Sequence, residues 1–371
     1  MTEVEIGMGK SGRVAFGLDA LGIVPSRRTR DPEDVSLVWE IDAYRFDLPV
    51  VAAPADAVTS PVTAVNIGGL GGLGVVHVEG VWSRHEEPDA LLEEIATLDT
   101  DAATRRLREL YLAPIHPELV VKRLTKIRES GVVTAAALRP QRVRALCPFL
   151  LEAGIDLLVI HAPAVSAEHQ SRTGEPLNLK RFIGELDVPV LVGGCASFST
   201  ALHLMRTGAA GVIVGVGPGG ADTTRAVLGV GVPMATAIAD AAGARMRYLD
   251  ESGGRYVHVI AHGGIRTGGD IAKAIACGAD AVMLDAPLAA AAEAPGQGGY
   301  WSMDVLHSRL PRGTWERVPV VGTLREILVG PAAVNSGTLN LAGALRTAMA
   351  TTGYATVKEL QKAEVLVTAP L

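Results

Sequence analysis

ACGADAVMLD, residues 276–285, breaks a helix-like run at Gly278 and turns at once into an apolar strand that stops at Asp285. EAGIDLLVI (152–160) and RTGAAGVIVG (206–215) repeat the same punctuation with Gly154 and Gly208. Glycine accepts the left-handed conformation that ends a helix and releases the chain into a strand. Three copies of that device point to repeated βα units. Counting apolar, β-branched runs along the chain gives eight strands, at 49–54, 73–77, 132–137, 155–160, 188–194, 210–216, 257–262 and 280–285. Helical segments lie between them, as a parallel sheet requires. Eight parallel strands make a (β/α)8 TIM barrel, so the expected class is α/β in a single domain.

The spacing is uneven. After an N-terminal segment, 1–48, about 55 residues separate the second run from the third. HEEPDALLEEIATL, AATRRLRELY and PELVVKRLTKIRESG fill that interval with helical periodicity, which predicts a helical insert over 86–131. Beyond the eighth run, 287–330 is rich in Gly, Pro and Trp and reads as a flap loop over the barrel mouth, because long loops in compact domains are usually functional. LNLAGALRTAMATTGY then predicts a closing helix within a C-terminal segment, 331–371.

Composition narrows the function. The chain has 371 residues, 48% of them hydrophobic, enough for a large core. Its formal charge is −6, and the sharpest basic cluster, SRRTRD at 26–31, runs directly into PEDV, which argues against a nucleic-acid groove. Cys147, Cys195 and Cys277 are far apart and lack metal-ligand spacing, as expected for thiols in a reducing compartment. No apolar run reaches membrane-span length and MTEVEIGMGKSG has no signal-like core, so a soluble cytoplasmic protein with no membrane partner is expected.

Chemistry in such barrels gathers where the strands end. Those ends carry Asp56, His77, His161, Cys195, the loop GVGPGGADTTR (215–225), His262-Gly263-Gly264 and Asp285. The clustered glycines of the loop leave backbone groups to face a ligand, a phosphate or a monovalent cation being the usual occupants, or else form a tight strand-to-helix turn. AHGGIRTGGDIAKAIACGADAVML (261–284) adds glycine pairs suited to a phosphate held between consecutive βα loops.

Together GVGPG…TTR, GGIRTGGDIAKAIACGADAVML, VPSRRTRDPEDV, GGLGVVH and GVPMATAIADAA resemble the IMP dehydrogenase/GMP reductase family, and most of all its bacterial branch without CBS domains. The resemblance implies a tetrameric TIM barrel that binds a purine nucleoside monophosphate of the IMP, XMP or GMP class beside NAD or NADP. In that family a loop cysteine attacks the purine, hydride passes to or from the nicotinamide, and potassium often sits on loop carbonyls. The matched positions are Gly217 and Gly219 for the cation, and Gly219 with Gly220, Thr224, Gly263 and Gly264 for the nucleotide. Tyr300 and Met303 match its phosphate and base contacts after the eighth strand. His161, Gly215 and Gly217 fall on the cofactor side.

The sequence departs from this pattern where the chemistry would occur. Asp222 stands at the position of the nucleophilic cysteine, and a carboxylate is a weak nucleophile that forms a labile adduct. His262 replaces the Asp that holds the ribose, and Asp285-Ala286 replaces a Gly-Ser pair that donates to the phosphate. At ~4 Å two like unit charges repel by roughly 4 kcal/mol at a surface-like dielectric, about three decades of affinity unless a cation intervenes. Ala53 and Ala55 stand where Ser and Met are common.

Three readings follow. One is an IMP dehydrogenase/GMP reductase-like oxidoreductase with an altered site. A second is a catalytically silent relative that binds nucleotide weakly or joins a hetero-oligomer. A third is a metal-dependent hydrolase using His77, His161, Asp222, His262 and Asp285. Structural roles compete with each: Asp222 as a helix cap, His262 paired with Asp285, Cys195 as a small buried side chain, and Glu168-His169 either over the pocket or on ordinary surface.

Overall fold

The computed structural model describes residues 3–169, 176–303, 310 and 312–368. All eight expected strands form: β1 (Val50–Ala52), β2 (Leu73–His77), β3 (Ala135–Leu138), β4 (Leu157–His161), β5 (Val190–Cys195), β6 (Gly211–Val214), β7 (His258–His262) and β8 (Ala281–Leu284). Each pairs in parallel with its sequence neighbours, and β8 returns to β1 through Val282–Val50, Met283–Val51 and Leu284–Ala52, so the barrel closes. Gly154, Gly208 and Gly278 have φ of 71°, 95° and 114°, the left-handed helix stops that the repeated punctuation demands.

Side-chain alternation sorts the core into two layers. One set of strand residues, including Val51, Val75, Ala137, Val159, Leu191, Ile213, Ile260 and Met283, fills the barrel interior. The other faces the helices, where Val76, Leu158, Val192, Val212 and Val259 join the larger cluster. Trp39, Ile41 and Phe46, from the hairpin Trp39–Ile41/Tyr44–Phe46, pack into the interior cluster, with Trp39 stacked on Phe46 at 5.2 Å. Trp39 Nε1 donates to His258 Nδ1 (3.2 Å) at the start of β7, so this hairpin plugs the end of the barrel opposite the strand C-termini. At that same end, buried Asp280 accepts from Arg245, Tyr256, Gln361 and the Val259 N–H at 2.6–2.8 Å. These bonds tie Arg245, Tyr256, Gln361 and β7 to one carboxylate, as suits a stabilising end.

The insert is helical, with helices Pro88–Ala96, Thr100–Leu110 and Pro117–Glu129. The flap has more order than a loop: a hairpin, Gly299–Trp301 with Trp315–Arg317, and a helix, Leu324–Leu328, occupy it. Its residues 304–309 and 311 lie outside the described ones. The closing helix is Leu341–Thr351, after which Val365–Val367 pairs with Leu21–Ile23 and ties the two ends of the chain together. Among the described residues no helix is long and apolar enough to cross a membrane.

Candidate functional site

The strand C-termini open into a cavity of about 760 Å³ of empty space, its open mouth included. His77 ends β2, His161 ends β4 and His262 ends β7, and all three line the cavity with Asp222, Asp285, Tyr300, Ser302 and Met303. Its floor on one side is backbone, from Gly215, Gly217, Pro218, Gly219 and Gly263. Gly215 has φ of 153° and packs so closely that a Cβ there would collide with the carbonyl oxygen of His262. The turn after β6 therefore requires glycine.

The three imidazoles are held neutral. Burial lowers the His77 pKa well below 6.5, reinforced by Arg139, His161 and Arg84. Burial and the neighbouring His262 bring His161 down to about 3, their rings lying 5.3 Å apart. His262 is also lowered by burial, against the opposing pull of Asp285 and Asp222. His77 Nδ1 accepts the Glu79 N–H (3.2 Å), which leaves its ring proton on Nε2. Neutral imidazoles supply hydrogen bonds without placing a fixed charge on the ligand.

The carboxylates are already engaged. Asp222 Oδ1 accepts the Thr224 N–H at 2.8 Å, the turn-forming contact of an Asp before a helix, here Thr224–Leu228. The loop around it is strapped to the flap: Thr223 N donates to Arg312 O (2.8 Å), Thr314 N to Ala221 O (3.1 Å), and Asp222 bridges to Gly313. Asp285 Oδ1 takes the Ala286 N–H at 2.6 Å, and its Oδ2 takes the Tyr300 hydroxyl at 2.8 Å and lies 3.7 Å from His262 Nε2. Burial, then the charge of Asp285, raises the Tyr300 pKa well above 10, so the phenol keeps its proton and donates.

Several expected residues lie elsewhere. Gly220, Gly264 and Ala286 are not among the described lining residues, and a Cβ on Gly220 would face Glu316 and Arg266 instead. Thr224 is buried beside a second cleft, its hydroxyl without a partner among the described residues. Cys195 is buried at the end of β5, where burial pushes its thiol up to about 12, so it cannot stand in as the nucleophile. Glu168 and His169 line a separate surface cleft with His203 and Arg206. Asp56 sits behind the mouth rather than in it: its Oδ2 accepts from Val81 N (2.7 Å) and the Tyr111 hydroxyl (2.6 Å), and Trp301 Nε1 donates to Tyr111 (3.0 Å). That chain fastens the flap and the helical insert to β1. No group of three or more His, Cys, Asp or Glu among the described residues could hold a metal ion, so the hydrolase reading finds no ligand set.

Arg139 was not among the expected residues, yet it lines the mouth. It directly follows β3, in ALRP, and extending the third strand to Leu138 places it at a strand end with the others.

Comparison with known proteins agrees with this architecture. Residues 15–308 match the IMP dehydrogenase / GMP reductase domain. An uncharacterized oxidoreductase of Mycolicibacterium smegmatis is 54% identical over 367 residues, covering 97% of this chain and 98% of the relative. The inosine-5'-monophosphate dehydrogenase of Aquifex aeolicus is 32% identical over 301 residues, 73% of this chain and 56% of that protein. The crystal structure of an IMP dehydrogenase/GMP reductase-like protein from Corynebacterium glutamicum superposes with a TM-score of 0.94 at 47% identity, covering 98% of this chain and 97% of that one. With its closed barrel, its glycine-floored mouth and a domain match spanning most of its length, the chain belongs to the IMP dehydrogenase / GMP reductase family.

Proposed function

We propose that the barrel mouth binds a purine nucleotide of the IMP, XMP or GMP class beside NAD or NADP, and that no covalent enzyme–purine step takes place there. The observation that carries this reading is the loop 215–225. It keeps its backbone floor, while position 222 holds a carboxyl bonded to Thr224 N instead of a thiol. An oxidised nicotinamide, when bound, accepts hydride, and the reduced form donates it. What the chain contributes is binding: neutral His161 and His262 to donate or accept, Asp285 and Tyr300 for ligand hydroxyls, Met303 for an apolar ring face, and the glycine backbone of Gly219 and Gly263 for polar edges. Gly215, Gly217 and His161 form the side assigned to the cofactor, and Ala286 and Thr224 are the adjoining helix starts. The carbonyls of Gly217 and Gly219 accept no hydrogen bond from described residues, which suits a potassium ion. A homotetramer is the assembly proposed by family likeness.

The engagement of Asp222 favours a second reading, in which the protein is a silent relative that binds nucleotide without turnover. One experiment addresses both. The protein is incubated with IMP and NAD, or GMP and NADPH, while nicotinamide absorbance is followed and intact mass is measured after acid quenching. The expected result is nucleotide binding with no purine–protein adduct. An absorbance change without an adduct selects the altered oxidoreductase, and none selects the silent relative. A stable adduct on the protein overturns the proposal.

A further inference from the structure

The family form places a phosphate over the loops that follow β7 and β8, and here that place is occupied by Asp285. Its carboxylate is fixed by Ala286 N and by Tyr300, and it cannot swing away without orphaning a buried phenol. On the other side of the mouth the charge is reversed. Arg139 lines the mouth and also a second cleft, and Ala162 and Pro163 are shared by the two as well, so the cavities adjoin. Arg84, Arg142 and Arg312 join Arg139 along that cleft, with Glu79 the carboxylate among its described lining residues.

Glu79 is one carboxylate set against the guanidinium groups of Arg84, Arg139 and Arg142, and it pairs with the last two at the outer limit of an ion pair. It is buried, its Oε1 accepts the backbone N–H of Arg139 (2.7 Å), and its Oε2 lies 4.0 Å from Nε of both Arg139 and Arg142. At 4.0 Å neither guanidinium is hydrogen-bonded to it. Arg84 directs donors to the carbonyls of Glu79 and Ala113, which fixes its charge at the cleft wall. Arg142 has a side chain 57% exposed and so remains accessible to a ligand. Positive charge in excess, on planar forks from the loops after β2 and β3, is what a phosphate recognises.

We propose that Arg139 and Arg142, backed by Arg84, form the phosphate subsite of this protein, so that the mononucleotide lies with its anionic end in the arginine cleft and its uncharged end toward Asp285. This rests on the purine-nucleotide reading above and relocates the phosphate within it. Asp285 then accepts from ligand hydroxyl or amino groups, the use to which its remaining lone pairs are suited.

Calorimetric titration with guanosine and with GMP tests the assignment on the full-length protein, its Arg139→Gln/Arg142→Gln variant and its Asp285→Asn variant. The protein should bind GMP at least about tenfold more tightly than guanosine, the contribution of a charge-assisted hydrogen bond. The double change should erase that preference without weakening guanosine, and Asp285→Asn should leave the preference within about twofold. If the double variant fails to fold, Arg142→Gln alone reports the same direction, and inorganic pyrophosphate should compete with GMP on the unaltered protein. A preference that survives the arginine changes, or that grows about tenfold in Asp285→Asn, overturns the proposal. Equal binding of guanosine and GMP overturns it while leaving the purine reading intact, and binding of neither overturns both.

Discussion

Asp285 Oδ2 lies 3.7 Å from Nε2 of His262 and accepts the Tyr300 hydroxyl at 2.8 Å, so one carboxylate joins the ends of β7 and β8 to the flap. Its charge opposes the lowering of the His262 pKa that burial causes. Asp285→Ala should therefore lower that pKa further, a shift that NMR titration of the ring would follow. The same change leaves the buried Tyr300 hydroxyl without its acceptor and should cost about 1–3 kcal/mol in denaturant unfolding. Asp285→Asn, which keeps an acceptor, should cost less. An unmoved His262 titration would mean that the two groups do not communicate.

Position 222 should accept a reactive thiol where the natural cysteines are inert. Burial raises the pKa of Cys147, and pushes Cys195 to about 12 and Cys277 to about 11, so iodoacetamide at mild alkaline pH should label the native protein slowly. In Asp222→Cys the side chain lines the open mouth, and one thiol per chain should react at least about tenfold faster. Mass spectrometry of the digest identifies the site. Protection of the introduced thiol from alkylation in the unliganded variant would show that the flap strap closes the mouth.

Asp56 should make the protein less stable as pH rises. Burial raises its carboxyl from 3.8 to about 6, opposed by hydrogen bonds from Tyr111 and Val81, and its Oδ1 has no partner among the described residues. A raised folded-state pKa means that the stabilising contribution is complete below 3.8 and is lost as pH climbs through about 6. The interval corresponds to about 3 kcal/mol. Asp56→Asn, which cannot ionise, should gain on the unaltered protein by that order between pH 4 and pH 7, measured by urea unfolding. The buried histidines destabilise in the opposite direction, as pH falls, and cancel in the comparison because both proteins carry them. Parallel stability curves would contradict the burial assigned to Asp56.

Gly215→Ala should damage the mouth more than any conservative change around it. The new methyl would meet the carbonyl oxygen of His262 in a backbone conformation with φ of 153°, and both lie in the barrel rim rather than in a yielding side chain. A loss of at least about 2 kcal/mol and of nucleotide binding is expected, by thermal unfolding and calorimetry. A variant of normal stability would show that the turn can relax.

The barrel was legible because its βα repeats are written locally: a glycine stop such as Gly278 and a β-branched run such as AVML need no distant partner. The plug formed by Trp39, Ile41 and Phe46 was not, since its apolar residues acquire meaning only against Leu73, Leu157 and Leu191 across the barrel floor. At the mouth, strand ends pointed to His161, Asp222, His262 and Asp285, and all four line one cavity. Arg139 escaped because the third run was ended before Leu138, and its cleft is assembled from loops far apart in sequence. Thr224 lines the neighbouring cleft and a Cβ on Gly220 would face Glu316 and Arg266, in a loop strapped to the flap between 221–223 and 312–314.

Calorimetric titration of the unaltered protein with IMP, XMP and GMP tests whether this mouth holds a purine nucleotide with Asp222 in place of a thiol. Saturable heat with one site per chain for at least one of the three is the predicted result. Absence of heat for all three, at concentrations up to the millimolar range in the presence of potassium, would contradict it.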